Sequence, residues 1–144
     1  MSKILWVTED KWMDQVLIDV MQDAGYKLTI KTTPDDILNG KENLDEYSHI
    51  VVTMFLAVGE ILSISRCVKG TKTGIVLLAE IIDKLKSTKA ILRVLSSFEI
   101  SSDEFEWCKS HNVIVVNEMV SRYNTILNIV QNKESFNGFQ YSML

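Results

Sequence analysis

The sequence has little of what usually divides a chain into parts. Its 144 residues include one proline and six glycines, and no stretch is rich in proline, glycine and serine. Linkers between domains usually contain such stretches, and a chain of this length has room for one hydrophobic core. We therefore predict a single domain over residues 1–132, followed by a polar C-terminal tail over residues 133–144.

Other absences exclude whole classes of protein. Two cysteines, Cys67 and Cys108, are too few for a disulfide framework. No apolar run approaches the roughly 20 residues that cross a bilayer, and the start of the chain lacks the small-residue cleavage site of a signal peptide. The sequence predicts a cytoplasmic protein with reduced cysteines and no membrane contact.

Positive charge is also scarce. The 15 lysine and arginine residues are outnumbered by 19 acidic residues, which gives a formal net charge of −4. Nucleic-acid binding needs clustered cations that face the phosphate backbone, so we expect no nucleic-acid partner. The two histidines, His49 and His111, are far in sequence from acidic or cysteine partners. We expect them at the surface or at a strand edge rather than as metal ligands.

Apolar runs and helical periodicities alternate along the chain. Short apolar or β-branched runs predict five strands, at residues 3–7, 26–32, 49–54, 90–95 and 113–116. Apolar residues at helical spacing predict five helices, near residues 11–24, 34–40, 74–85, 101–108 and 119–130. This alternation indicates an α/β fold with a doubly wound parallel sheet.

One stretch interrupts the alternation. Residues 55–73 contain two glycines and three basic residues, and they predict a loop with a short helix near residues 61–68. Ligands of such sheets bind beyond the carboxyl ends of the strands, where the strand order reverses. The candidate site residues are therefore those that end or follow a strand: Thr8, Glu9, Asp10, Thr53, Ser96, Ser97, Asn117 and Glu118.

Four segments resemble, in order and spacing, the receiver domain of bacterial response regulators over about residues 2–131. They are the first strand with its acidic cluster (3–10), a helix with a Gly-hydrophobic-Glu pattern (74–82), a fourth strand that ends in a hydroxyl pair (92–98) and the fifth strand (113–118). The resemblance implies a flavodoxin-like (βα)5 fold with strand order 2-1-3-4-5. It also implies a role in two-component signal transduction.

Receivers of this family carry four functional parts. An aspartate after the third strand accepts a phosphoryl group, and an acidic pair after the first strand binds Mg²⁺. A Ser or Thr after the fourth strand and a Lys after the fifth contact the phosphoryl oxygens. Matched position by position, these parts fall on Thr53, on Thr8 and Glu9 (followed by Asp10), on Ser96 and on Asn117.

Three of the four parts are altered in this chain. Thr53 is neutral where the family has a nucleophilic carboxylate, and no histidine nearby in the motif could serve as its base. Thr8 removes one metal-binding carboxylate, and Asn117 removes the cation. The resemblance therefore implies a pseudo-receiver, a regulatory module that is not phosphorylated, is not an enzyme, needs no cofactor and acts through protein–protein interaction.

Two interpretations of the acidic residues stay open. Glu9 and Asp10 could supply hard oxygen ligands to a divalent cation, which would make the chain a flavodoxin-like metal-dependent enzyme or small-ligand binder. Alternatively, they stabilise the positive end of the first helix. The sequence has no Gly-rich phosphate loop and no nucleophile elbow, which disfavours an enzyme or a nucleotide binder.

The expected partner is another protein or a second copy of the chain. Receivers commonly bind partners through the elements around the fourth and fifth helices, so the resemblance makes Trp107, Met119 and Tyr123 the candidate partner surface. It is also compatible with a homodimer through the last helices. The alternative for Trp107 is that it packs beneath a neighbouring loop.

Overall fold

A computed structural model describes residues 2–9, 15–87, 89–96, 100–117 and 129 of the chain, with the main chain alone at 16, 17 and 117. The strands are β1 (Ser2–Val7), β2 (Tyr26–Lys31), β3 (Tyr47–Thr53), β4 (Ile91–Ser96) and β5 (Val113–Asn117). The helices are α1 (Gln15–Asp23), α2 (Asp35–Leu38), α3 (Thr73–Lys84) and α4 (Ser102–Ser110), with a short 3-10 helix at Leu44–Glu46. The predicted fifth helix lies outside the described residues apart from Ile129, which is helical and buried.

The five strands form one parallel sheet in the order β2-β1-β3-β4-β5. This confirms the predicted α/β fold and the strand order 2-1-3-4-5. The order reverses between β1 and β3, so the carboxyl ends of these two strands border the crevice where such sheets bind ligands. No helix among the described residues is long and apolar enough to cross a membrane.

The core has two layers, one on each face of the sheet. On β3 the side chains alternate, with Ile50 and Val52 in the layer beneath α3 and α4, and Val51 in the layer beneath α1. A parallel strand that is covered on both faces needs such a continuous apolar run. Trp6 is fully buried in the second layer, and Cys67 is a buried free thiol in the first.

The short helix predicted at residues 61–68 is wrong. A series of turns stands there instead, and the Cys67 N–H donates to the Ser63 carbonyl at 3.1 Å. Val68 and Lys69 then adopt φ values of 48° and 55°. These left-handed conformations cannot continue a right-handed helix. The loop part of the prediction holds.

The expected surface position of His49 is also wrong. Its side chain is 3% exposed, because β3 lies between β1 and β4 in the middle of the sheet. Arg93 donates from Nη1 to His49 Nδ1 at 2.9 Å. The Tyr26 ring packs edge-on against the imidazole, with 5.9 Å between the two ring centroids. Burial, aided by the Arg93 cation, lowers the pKa of His49 to about 4.

Candidate functional site

Three hydroxyl side chains lie at the carboxyl edge of the sheet, as the parallel topology predicts. Thr8 follows β1, Thr53 ends β3 and Ser96 ends β4, and all three are buried. The hydrogen bonding of the sheet extends just past the strands, since the Thr8 N–H donates to the Lys31 carbonyl at 2.9 Å. The hydroxyl groups are therefore enclosed by the protein rather than displayed in an open cleft.

Thr53 occupies the central position of this edge. Its side chain is 7% exposed, and its Oγ1 has no hydrogen-bond partner among the described residues. Buried hydroxyl groups in proteins are usually hydrogen-bonded. The end of β3 thus holds a neutral, buried hydroxyl group.

The first turn of α3 closes over the end of β3. The Gly74 N–H donates to the Met54 carbonyl at 2.9 Å. A Cβ atom at Gly74 would lie 2.5 Å from the Thr53 carbonyl oxygen, which is closer than any real contact. Glycine at this position therefore allows the helix to approach the strand, and the approach covers one side of Thr53.

Glu9 is exposed, and its carboxylate accepts a hydrogen bond from the Ala57 N–H. This contact joins the end of β1 to the loop between β3 and α3, which we call the β3–α3 loop (residues 54–72). Among the described residues, no group of three or more His, Cys, Asp or Glu side chains could hold a metal ion. Asp10 lies outside the described residues, so its roles as a metal ligand or as a helix-stabilising residue stay predictions.

The β3–α3 loop is fixed to the domain by further polar contacts. The Asp35 carboxylate of α2 accepts from the N–H groups of Glu60 at 2.9 Å and Ile61 at 3.0 Å. The Thr73 hydroxyl donates to the Leu56 carbonyl at 2.8 Å. Buried apolar side chains anchor the same segment from within: Leu56, Val58, Leu62 and Cys67. A shallow depression of about 280 Å³ lies between the loop and Glu9.

Two ion pairs, which the sequence did not indicate, join the loop to α3 and α4. Arg66 pairs with Glu80 at 3.0 Å, and Lys72 pairs with Glu104 at 2.8 Å. Burial opposes the charge of Glu104, but hydrogen bonds from Lys72 and Ser101 outweigh that effect and lower the pKa of Glu104. Glu104 also completes the N-terminal cap of α4, since it accepts from the Ser101 N–H at 2.9 Å.

The structure describes only some of the remaining candidate site and partner-surface residues. Asn117 ends β5 and is paired with Ser96 in the sheet register, but its side chain lies outside the described part. Trp107 is half-buried and packs against the core. Its ring stacks on the His111 ring, with 4.4 Å between the ring centroids. Met119 and Tyr123, like Ser97 and Glu118, lie outside the described residues. The partner surface around Trp107 therefore stays a prediction.

Comparison with known proteins gives the fold. The chain aligns over 92% of its length with 93% of a CheY-like response regulator receiver domain protein from Methanospirillum hungatei JF-1, at 12% identity and a TM-score of 0.63. It aligns over 91% of its length with 98% of a response regulator receiver protein from Pseudoalteromonas atlantica, at 12% identity and a TM-score of 0.60. No family model and no curated protein matches the sequence. The chain therefore has the fold of response regulator receiver domains, which confirms the fold that its sequence resemblance implied.

Proposed function

We propose that the chain is a regulatory module of the receiver type that is not phosphorylated and that acts by binding a protein. The observation that carries the proposal is Thr53. Phosphoryl transfer to a receiver needs an accessible carboxylate at the end of the third strand, and this position holds a buried, uncharged hydroxyl.

The state of Glu9 supports the same proposal. Mg²⁺ requires near-octahedral oxygen ligands, which usually include one or two carboxylates. Here the Glu9 carboxylate accepts from the Ala57 N–H, so metal binding would compete with a contact that holds the β3–α3 loop. Thr8, the neighbouring family position, offers no charge. The alternative of a metal-dependent enzyme gains no support from the described residues.

Two further parts of the proposal concern activity and location. We propose that the module has no enzymatic activity of its own and works in the cytoplasm. Both thiols, Cys67 and Cys108, are free and buried, which suits a reducing compartment. Burial raises the pKa of the Cys108 thiol to about 12, so this thiol is not poised for nucleophilic chemistry.

Phosphoryl uptake is the direct test. The purified chain is incubated with acetyl phosphate and Mg²⁺, and separately with beryllofluoride and Mg²⁺, beside an active receiver as the positive control. Intact-mass spectrometry is expected to show no phosphoryl adduct, and tryptophan fluorescence no saturable response to beryllofluoride. A stoichiometric adduct would refute the proposal, and the variants Thr53→Ala and Glu9→Gln would then locate the modified side chain.

A further inference from the structure

Exposed apolar side chains are concentrated in the β3–α3 loop. Among the described residues, four of the five large apolar side chains that are clearly exposed belong to it: Phe55, Ile61, Ile64 and Val68. The fifth, Ile30, stands alone on β2. Single exposed apolar side chains are normal on any protein surface, but a cluster of them marks an interaction site.

Three of these side chains lie within eight consecutive residues of the loop, and we call them the apolar ridge: Ile61, Ile64 and Val68, exposed by 53%, 63% and 54%. Leu62 and Cys67 are buried between them, and these two anchors fix the side of the loop that faces outward. The Lys69 N–H donates to the Ile64 carbonyl at 3.3 Å, and this bond closes a turn that contains Val68.

The backbone of the ridge is both restrained and strained. The Asp35 and Glu9 carboxylates hold the loop, so little conformational freedom remains for a partner to remove on binding. Val68 has φ +48°, a left-handed conformation that a β-branched residue rarely adopts. Strain of this kind concentrates at binding and switch regions, and it here accompanies a side chain that is more than half exposed.

Opposite charges bracket the apolar ridge. Glu60 precedes it, and Lys69 follows it. Neither side chain forms an ion pair within the described part of the chain, whereas Arg66 and Lys72 of the same loop are paired with Glu80 and Glu104. Along the chain, residues 60–69 therefore run from an acidic side chain through the apolar ridge to a basic side chain.

We propose that the apolar ridge is the interface of a homodimer, with a second copy of this chain as the partner. A two-fold interface must be self-complementary, so that each residue meets its counterpart across the axis. An antiparallel arrangement satisfies this, because it places Ile64 against Ile64 near the axis and each Glu60 beside the Lys69 of the other copy. The inference deepens the proposed function by naming the partner, but it depends on the loop and not on Thr53.

A lipid surface fits the ridge less well. Binding to anionic lipid needs several unpaired cations beside the apolar side chains. Of the three cations in the β3–α3 loop, Arg66 and Lys72 already pair within the protein, which leaves Lys69 alone. The presence of Glu60 at the other end also opposes contact with an anionic surface, whereas it suits a second copy.

The first test measures self-association of the full chain by sedimentation equilibrium over a range of concentrations. The wild-type protein is expected to dimerise, and Ile64→Ser to raise the dissociation constant at least about tenfold. Ile30→Ser is the matched control, since it removes the same side chain from an exposed site on β2 and is expected to leave the dissociation constant unchanged. Equal effects of the two substitutions would overturn the proposal.

The second test exchanges the charges. Glu60→Lys and Lys69→Glu are each expected to weaken the dimer, and the double variant Glu60→Lys/Lys69→Glu to restore it. In addition, Ile64→Cys is expected to form a disulfide-linked dimer on mild oxidation, against a low background because Cys67 and Cys108 are buried. Gln22→Cys, at an exposed position of α1, is the control and is expected to form no disulfide-linked dimer under the same oxidation.

The outcomes separate this inference from the proposed function. A chain that stays monomeric overturns the homodimer, whether or not it binds vesicles that contain phosphatidylserine. Failure of the charge exchange to restore association overturns the antiparallel arrangement and with it the proposal. Phosphoryl uptake by an intact dimer overturns only the non-phosphorylated function.

Discussion

Acidification is expected to destabilise the folded protein through His49. Its pKa is lowered from 6.5 to about 4 by burial and by the Arg93 cation. Below pH 6.5 the unfolded chain binds a proton that the folded chain does not bind until the pH approaches 4. The stabilising effect of the neutral imidazole is therefore complete above pH 6.5 and is lost progressively as the pH falls through this window.

The expected loss of stability on acidification follows from the pKa shift of His49. One pKa unit corresponds to about 1.4 kcal/mol, so the loss between pH 6.5 and pH 4 is about 3 kcal/mol, of which about 2 kcal/mol is lost by pH 5. The folded domain of this size is expected to have a free energy of unfolding of about 5–15 kcal/mol. The effect is thus a substantial part of the total stability and lies well within the range of urea titrations.

The assay is urea unfolding between about pH 7.5 and about pH 5, followed by tryptophan fluorescence, to which the buried Trp6 contributes. The His49→Asn variant offers Oδ1 as an acceptor to Arg93 in the place of Nδ1 but does not titrate, so its stability is expected to vary less with pH. His111→Asn removes the exposed imidazole and is the matched control. If His49→Asn and the wild type lose stability equally on acidification, the reasoning is wrong.

Three substitutions at the edge of the sheet and in the loop give further tests by urea unfolding. Gly74→Ala is expected to destabilise the fold by about 2 kcal/mol or more, because its Cβ would overlap the Thr53 carbonyl oxygen; a neutral effect would contradict the close approach. Thr53→Val is expected to raise the free energy of unfolding by about 1 kcal/mol, because it removes a buried hydroxyl without a described partner. A loss of stability would mean that the hydroxyl is hydrogen-bonded. Val68→Asn is expected to stabilise the fold by about 0.5–1 kcal/mol, because Asn tolerates left-handed φ values, while it weakens dimerisation; a destabilised variant would show that Val68 is not strained.

The parts of the fold that follow from local patterns were predictable. A parallel strand that is covered on both faces needs an uninterrupted apolar run, and residues 50–52 and 113–116 show it in the sequence. The capping of α4 is equally local, since Ser101 and Glu104 lie three residues apart and satisfy each other's backbone N–H groups. The position of Thr8, Thr53 and Ser96 at one edge of the sheet was also predictable, because the carboxyl ends of parallel strands lie on the same side.

The features that escaped prediction depend on residues far apart in the chain. The burial of His49 depends on Arg93, which is 44 residues away on the next strand. The contact of Glu9 with Ala57 spans 48 residues. The apolar spacing over residues 61–68 suits a helix, but the left-handed backbone at Val68 ends any such run. The apolar periodicity of a sequence gives no information on contacts between residues far apart in the chain. It also gives none on a positive φ at a single residue.

The β3–α3 loop is attached to several elements of the domain at once. Carboxylates from four separate elements hold it: Glu9 after β1, Asp35 on α2, Glu80 on α3 and Glu104 on α4. A shift of any of these elements would change the support of the loop. In the proposed homodimer, such a shift would reach the apolar ridge directly.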